Sequence, residues 1–449
     1  MATTYLTRTI ASSGNNKILT NSVWVKRGSL GAQALNQYNG DPGTLNYVDV
    51  LEFNSSNQLR FFVNRLGTLE IDYVTNRLFR DVSAWYHIVL VVDTTQATAS
   101  DRVKLYVNGV QETSFATSTA PSLNFTNQFN NAGSVISPGV QYSTGFNQKY
   151  FDGSMAHFHA IDGLAYDADT FGETDATTGI WKPKTAPSVT YGTNGFFIKA
   201  ENSSALGTDS SGEGNDFTTN GSPTQTVDTP SNVFCTMNPL DNAYFGGTFS
   251  NGNTTVLSAS APFTYCTSTF GVGKGKYYME GKWTSGSNLR FGIVNSPSTA
   301  TNDNPGNDAG EVVYRSDGAI VLNGVETGGY GSSFASGDIL SIALDCDNSK
   351  IYFAKNGVYQ ASGVPSAGTG GTVITDVTTL ASGNYFFTFG DNDGGATSTV
   401  SFNFGNGVFG STAVASAQNP DDGIGIFEFD VPAGYRSLCT KSINAQEYS

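Results

Sequence analysis

Residues 336–359 read SGDILSIALDCDNSKIYFAKNGVY, and the fold is decided there. Gly337-Asp338 opens the stretch as a turn. Across residues 339–345 Leu340, Ile342 and Leu344 fall on one face and Ser341 and Ala343 on the other, the period-two pattern of a strand. Asp347-Asn348-Ser349 is a polar turn. In residues 350–355 Ile351 and Phe353 then face one way and Tyr352 the other. Asn356-Gly357 closes a hairpin, because both positions of its tight turn favour positive φ.

Residues 85–110, WYHIVLVVDTTQATASDRVKLYVNGV, repeat this grammar. An apolar strand ends in Asp93, a polar loop follows, and Lys104-Leu105-Tyr106-Val107 leads into Asn108-Gly109. Two copies of strand, Asp, loop, Lys-aliphatic-Tyr and Asn-Gly indicate two β-sandwiches, each with a buried central hairpin. The echo is too short to prove duplication.

The totals agree. A chain of 449 residues exceeds what one core serves. Charged residues are 14% and aromatics 12%, with 52 glycines, a composition of strands and turns. No amphipathic helix beyond two turns is visible. The net charge of −15 repels phosphate backbones and argues against nucleic acid. No segment is long enough to span a membrane, and the first residues, MATTYLTRTIASS, lack the apolar centre of a signal peptide. Cys235, Cys266, Cys346 and Cys439 are too scattered for a disulfide framework; Cys235 and Cys439 are the pair best placed to meet.

Strand signals run from residue 18 to 200, including GFFIKA at 195–200. Residues 201–232 are rich in Ser, Gly, Asn, Asp and Thr and read as a linker, although DSSGEGND at 209–216 can fold back on the first domain. Strands resume from Val233, and residues 444–449 read as a free or partner-bound tail. The expectation is an all-β chain of two antiparallel β-sandwich (jelly-roll) domains in tandem, residues 1–227 and 228–449. A single helical turn is expected at 166–171, capped by Asp167.

Four groups of residues are candidates for chemistry. Glu70 and Asp72 lie two apart on a strand, but a retaining glycosidase needs two carboxyl groups about 5 Å apart with separate jobs, and no further Glu follows. His157 and His159, also two apart, would share a strand face and could hold zinc with a third ligand, His87, Asp152 or Asp162. The turns Asp391-Asn392-Asp393-Gly394 and 209–216 carry oxygen ligands suited to calcium, without the full calcium-loop spacing. Tyr38, Tyr47, Tyr142, Phe146, Tyr150, Tyr314 and Tyr330 sit in or beside loops, where tyrosine offers flat contact area at low entropic cost.

The run Trp85-Tyr86-His87, Asp93, Leu105–Gly109, with Phe151-Asp152-Gly153 and DSSGEGND, resembles the laminin-G/concanavalin-like jelly roll. Gly275–Glu280, Gly337-Asp338, Lys355-Asn356-Gly357 and Phe402-Asn403-Phe404-Gly405 resemble a SPRY domain. The combination is similar to virion proteins of tailed bacteriophages, marine ones above all, through SVWVKRG at 22–28, FGETDATTGIWKPK at 171–184, DTPSNVFCTMNPLD at 228–241 and PAGYRSLCT at 432–440. The resemblance implies a non-enzymatic virion surface protein, made in the host bacterial cytoplasm. It would be a tail-fibre or appendage component recognising a host glycan or receptor, homo-oligomeric in the particle and in contact with other virion proteins. The alternative is a capsid-decoration or connector protein bound to virion proteins alone. No cofactor is implied beyond possible calcium. SPRY domains bind through loops at one end of the sandwich. The long polar insertion 295–311 and the Gly-flanked Tyr330 therefore make Asn302, Asp303, Asn307, Asp308, Tyr314 and Tyr330 the expected ligand-binding residues.

Overall fold

A computed structural model of the chain describes residues 3–176, 178–241, 246–259, 264–296, 303–391 and 397–447, and the elements below are those among them. The chain divides into two compact units, residues 1–225 and 226–449, each an antiparallel β-sandwich.

In the first unit an eight-stranded sheet runs Phe115–Thr119, Thr68–Leu78, Gln58–Arg65, Tyr47–Phe53, Gln33–Asn39, Val135–Ile136, Tyr5–Thr9 and Thr218–Asn220. It faces a six-stranded sheet ordered Phe196–Ile198, Gly153–Asp162, Ile18–Arg27, Trp85–Asp93, Val103–Val107 and Val110–Gln111. Alternate residues of each sheet, Leu51, Phe53, Phe61 and Ile71 against Val23, Val25, Ile88 and Leu90, form the core between them. Each such side chain contributes about 1.5–3 kcal/mol on burial. The outer face of the six-stranded sheet is covered too. Val89, Val91 and Tyr106 pack under Phe171, Trp181 and Tyr191, which is why Trp85–Asp93 reads as a nearly continuous apolar run.

The second unit pairs Gly247–Ser250, Thr255–Ser258, Thr399–Asn403, Lys276–Ser285, Ile339–Asp345, Lys350–Lys355 and Val358–Tyr359, with Thr372–Val373 and Arg436–Ser437 joining alongside. Its second sheet is Tyr265–Val272, Tyr385–Asp391, Leu289–Val294, Val312–Arg315, Ile320–Leu322 and Val325–Thr327. The deciding hairpin lies centrally. Leu340, Ile342, Leu344, Ile351 and Phe353 enter the core, and Ala343 and Tyr352 point to the other face.

Both Asn-Gly turns have the expected backbone, with φ of 47° and 78° at Asn356-Gly357 and 48° and 82° at Asn108-Gly109. The asparagines act identically. Asn356 Oδ1 accepts from Ile339 N at 2.8 Å, and Asn108 Oδ1 accepts from His87 N at 2.8 Å. In both units the turn residue therefore caps the first strand of its own hairpin, which gives the sequence echo a physical cause.

Three expectations are corrected. The linker is shorter than 201–232, because residues 207–220 belong to the first sandwich. Asp209 Oδ1 accepts from Phe197 N at 2.8 Å, Thr218–Asn220 pairs with Tyr5–Thr9, and the Phe217 ring lies 4.7 Å from Phe196. The turn at Ala168–Thr170 is a 3-10 turn, and Asp167 does not cap it; its carboxylate accepts from Tyr106 Oη at 2.7 Å. Residues 444–447 are not a free tail but part of the helix Thr440–Glu447, where Gln446 bonds both the N–H and the carbonyl of Lys276. All four cysteines are buried free thiols. Cys235 and Cys439 do lie on neighbouring chain segments, where Cys235 N donates to Leu438 O at 2.9 Å.

Candidate functional site

The five described residues of the six expected to form one ligand site do not converge. Asn302 lies outside the described residues. Residues 303–310 do not stand off the sandwich end but lie flat on the outer face of the six-stranded sheet of the second unit. A Cβ placed on Gly306 would lie 2.5 Å from Val313 Cγ2 and 3.3 Å from Val321 Cβ. Buried Glu311 organises the loop by accepting from Tyr265 Oη at 2.7 Å, Gly306 N at 2.8 Å and Asp308 N at 3.1 Å, while burial raises its pKa. Asp303 is buried and accepts from Asn304 N, and Asn307 accepts from Arg290 Nη1 at 3.2 Å. Tyr314 follows Val313 on the strand and so points through to the opposite face. It is fully buried among Tyr330, Phe334 and Phe353, with its hydroxyl on Ser332 O, and it offers no stacking surface. Tyr330 is half-buried on that inner side, so the sheet itself separates it from Asn307 and Asp308.

The histidines pack against aromatic rings. A bulge between Ala156 and His159 places His157 at φ 47°, which breaks the simple alternation expected of them. His159 stacks on Phe197 at 3.8 Å and pairs with Tyr191 Oη at 2.9 Å. His87 lies between Trp24 and Trp181, with ring centroids 4.6 and 6.0 Å away. Trp181 Nε1–H donates to His87 Nδ1 at 3.0 Å, which leaves the ring proton on Nε2, facing Ser22 Oγ at 2.9 Å. A histidine that donates to a serine cannot act as its base, and burial lowers the His87 pKa to about 3. Among the described residues no three His, Cys, Asp or Glu side chains cluster as metal ligands.

Two of the candidate carboxylates, Asp72 and Asp209, are committed to hydrogen bonds. Asp72 accepts twice from Arg60, at 2.7 and 3.1 Å, while Glu70 is the extra residue of a bulge opposite Val63-Asn64. Asp209 accepts from Phe197 N, Ser211 N, Ser211 Oγ and Asn215 N, so DSSGEGND is held by its own hydrogen bonds. Of Asp391–Gly394, residues 392–394 lie outside the described residues.

Three tyrosines do converge. Tyr5, on the strand Tyr5–Thr9, has its ring 6.3 Å from Tyr142 and 5.9 Å from Tyr150, and all three are half-buried. Loop 141–148 is closed by reciprocal backbone bonds of 3.0 and 3.1 Å between Gln141 and Gln148, and Gly145 turns its tip at φ 83°. Gln37 Nε2 and Asn39 Nδ2 donate to Tyr142 O at 2.7 and 3.0 Å, which fastens the loop to the eight-stranded sheet. Lys149 bonds Glu52 at 2.6 Å, and Glu52 also lies 3.8 Å from Arg60. Asn147 Nδ2 donates to Tyr5 Oη at 3.0 Å, and Phe146 in the same loop is 59% exposed. The result is a rigid aromatic surface bordered by amides and charges. Such rings stack on the C–H faces of sugars while amides bond hydroxyls. Tyr142, Phe146 and Tyr150 were visible as loop aromatics, but nothing local marks Tyr5, whose partners are far along the chain.

Residues 2–169 match the family model described as the concanavalin A-like lectin/glucanases superfamily, and residues 276–407 match the SPRY domain. One stretch of 80 residues, 17% of this chain, is 36% identical to the dual specificity protein kinase splA of Dictyostelium discoideum, and the match spans 3% of that kinase. Among solved structures, the SPRY domain of human HERC1 is similar at 19% identity, over 35% of this chain and 91% of that one, with a TM-score of 0.27. A putative carbohydrate binding protein from Bacteroides ovatus is similar at 15% identity, over 49% of this chain and 56% of that one, with a TM-score of 0.31.

Proposed function

We propose that this chain, a concanavalin A-like domain followed by a SPRY domain, is a non-catalytic recognition protein displayed on a tailed-phage particle. It binds host-surface glycan through Tyr5, Tyr142 and Tyr150. The observation that supports this reading is the convergence of three half-buried tyrosines on a loop locked to the sheet by Gln37, Asn39 and Lys149. A pre-formed aromatic surface loses little entropy on binding. The motifs at 22–28, 171–184, 228–241 and 432–440 support the phage setting.

The test is adsorption of the purified protein to host cells and to a glycan array. Tyr142→Ala with Tyr150→Ala should leave melting nearly unchanged and weaken binding by about 1–3 kcal/mol per ring. Wild-type binding by the double variant would remove the platform from consideration.

The same reading makes hydrolysis absent. Asp72 is paired with bidentate Arg60, and no further Glu follows Glu70 on its strand to serve as the second carboxylate. Incubation with host polysaccharide should release no reducing sugar. Release that disappears in Glu70→Gln would establish an enzyme instead.

A further inference from the structure

On the second unit, the turn at Gly357 and the loop 363–366 face residues 429–432 across a cavity of about 330 Å³. Its apolar wall comprises Tyr359, Pro365, Phe429, Val431 and Pro432. A Cβ on Gly357, at φ 78°, would lie 2.8 Å from Phe429 Cδ1, so the ring packs closely against the Asn-Gly turn. The backbone of Phe429 is fixed as well, since its N–H donates to the buried Glu280 at 2.9 Å. The pocket is therefore built, and its 429–432 wall lies beyond the residues matched by the SPRY family.

Asp430 belongs to the lining, is exposed, and has no hydrogen bond or ion pair with any described residue. Its neighbour Glu428, by contrast, accepts from Ala415 N at 2.6 Å. An unpaired carboxylate beside two aromatic rings and two prolines selects a ligand with a flat or aliphatic body and a cationic end. We propose that this pocket takes an arginine side chain presented by a partner polypeptide. A guanidinium stacks on aromatic faces and bonds a carboxylate through two parallel N–H groups, which an ammonium cannot do. The chain's charge of −15 attracts a basic partner and speeds its approach. This site is independent of the tyrosine platform and of its glycan.

The full chain is titrated calorimetrically with the blocked pentapeptide acetyl-GARAG-amide and with its lysine, leucine and glutamate counterparts. The arginine peptide should saturate, the lysine peptide should bind at least threefold more weakly, and the other two should not saturate. Asp430→Asn should weaken the arginine peptide at least tenfold without shifting Tm, and Phe429→Ala should do the same if it folds. Tyr142→Ala should bind the peptide like wild type, which separates this site from the glycan reading. Three results would overturn the proposal: no saturation by the arginine peptide, equal binding by the leucine peptide, or full affinity in Asp430→Asn.

Discussion

Glu280→Ala should destabilise the second unit by about 3–5 kcal/mol, because it strands buried donors rather than merely deleting a contact. Glu280 is fully buried, and each of its oxygens accepts one backbone N–H, Oε1 from Phe429 and Oε2 from Glu428, both at 2.9 Å. Tyr278 Oη and Asn403 Nδ2 add bonds of 3.0 and 3.3 Å. Glu280→Gln is the sharper variant. Whichever way its amide turns, the NH2 group meets one of the two backbone N–H groups, so one bond is lost and the cost should be about 1–3 kcal/mol. Hydrogen exchange at the Glu428 and Phe429 amides reads the loss directly. Unchanged protection and unchanged stability in both variants would refute the role.

The same carboxyl gives a pH signature. Burial raises the Glu280 pKa to about 7 against the pull of its four donors. The folded chain therefore holds a proton that the unfolded chain releases above the ordinary glutamate range. From this group, stability is greatest below the unfolded value of 4.5 and is lost as pH rises through about 7. The proton has a place to go. Tyr278 Oη can turn to accept it and donate onward to Ser341 Oγ, which otherwise lacks a partner, and the 428–429 bonds survive. The stability of wild type minus that of Glu280→Gln should fall across this window as pH rises.

Arg27→Ala should cost the first unit a similar amount, about 3–5 kcal/mol. The side chain is fully buried, and its guanidinium pairs with no carboxylate among the described residues. It donates instead to Phe79 O at 2.7 Å, Gly31 O at 2.8 Å and Asn57 Oδ1 at 3.1 Å, and it lies 4.5 Å over the Phe53 ring. Burial lowers its pKa to about 10, still far above neutrality, so the charge stays. Three chain segments converge on this one fork. Arg27→Met fills the volume but leaves the carbonyls unbonded, and should recover only part of the loss. Calorimetry on the two variants separates packing from hydrogen bonding, and a full recovery by methionine would show that the polar contacts contribute nothing.

The hairpins were legible because their information is local: alternation at 339–345 and 350–355 and the Asn-Gly pairs require no distant partner. The layers outside the sandwiches were not. Residues 303–310 looked like a solvated insertion, yet Arg290 and Glu311, both inside or beside strands, hold that loop down. Nothing in a strand-like run such as GKYYMEG announces that Glu280 will capture residues 428–429. Nor does YLTRT announce that Tyr5 will meet Tyr142 and Tyr150. Of the stretches carrying the phage resemblance, 22–28 supplies Arg27 and 171–184 supplies Trp181 over His87, so much of that signature is architecture.

The second unit is fastened by its own two ends. Phe234 bridges to Cys439, Cys235 N donates to Leu438 O, and Thr440 N donates to Val233 O. On a ribosome adding roughly 5–20 residues per second, residues 233–235 emerge about 10–40 s before the partners that complete them. During that interval the strand Lys276–Ser285 also lacks its parallel neighbour Arg436–Ser437. The nascent unit thus carries an unpaired segment at Tyr277-Tyr278, on one side of a strand whose other pairings, to Ile339–Asp345 and Thr399–Asn403, are already available. It becomes a finished sandwich only after synthesis has passed residue 440.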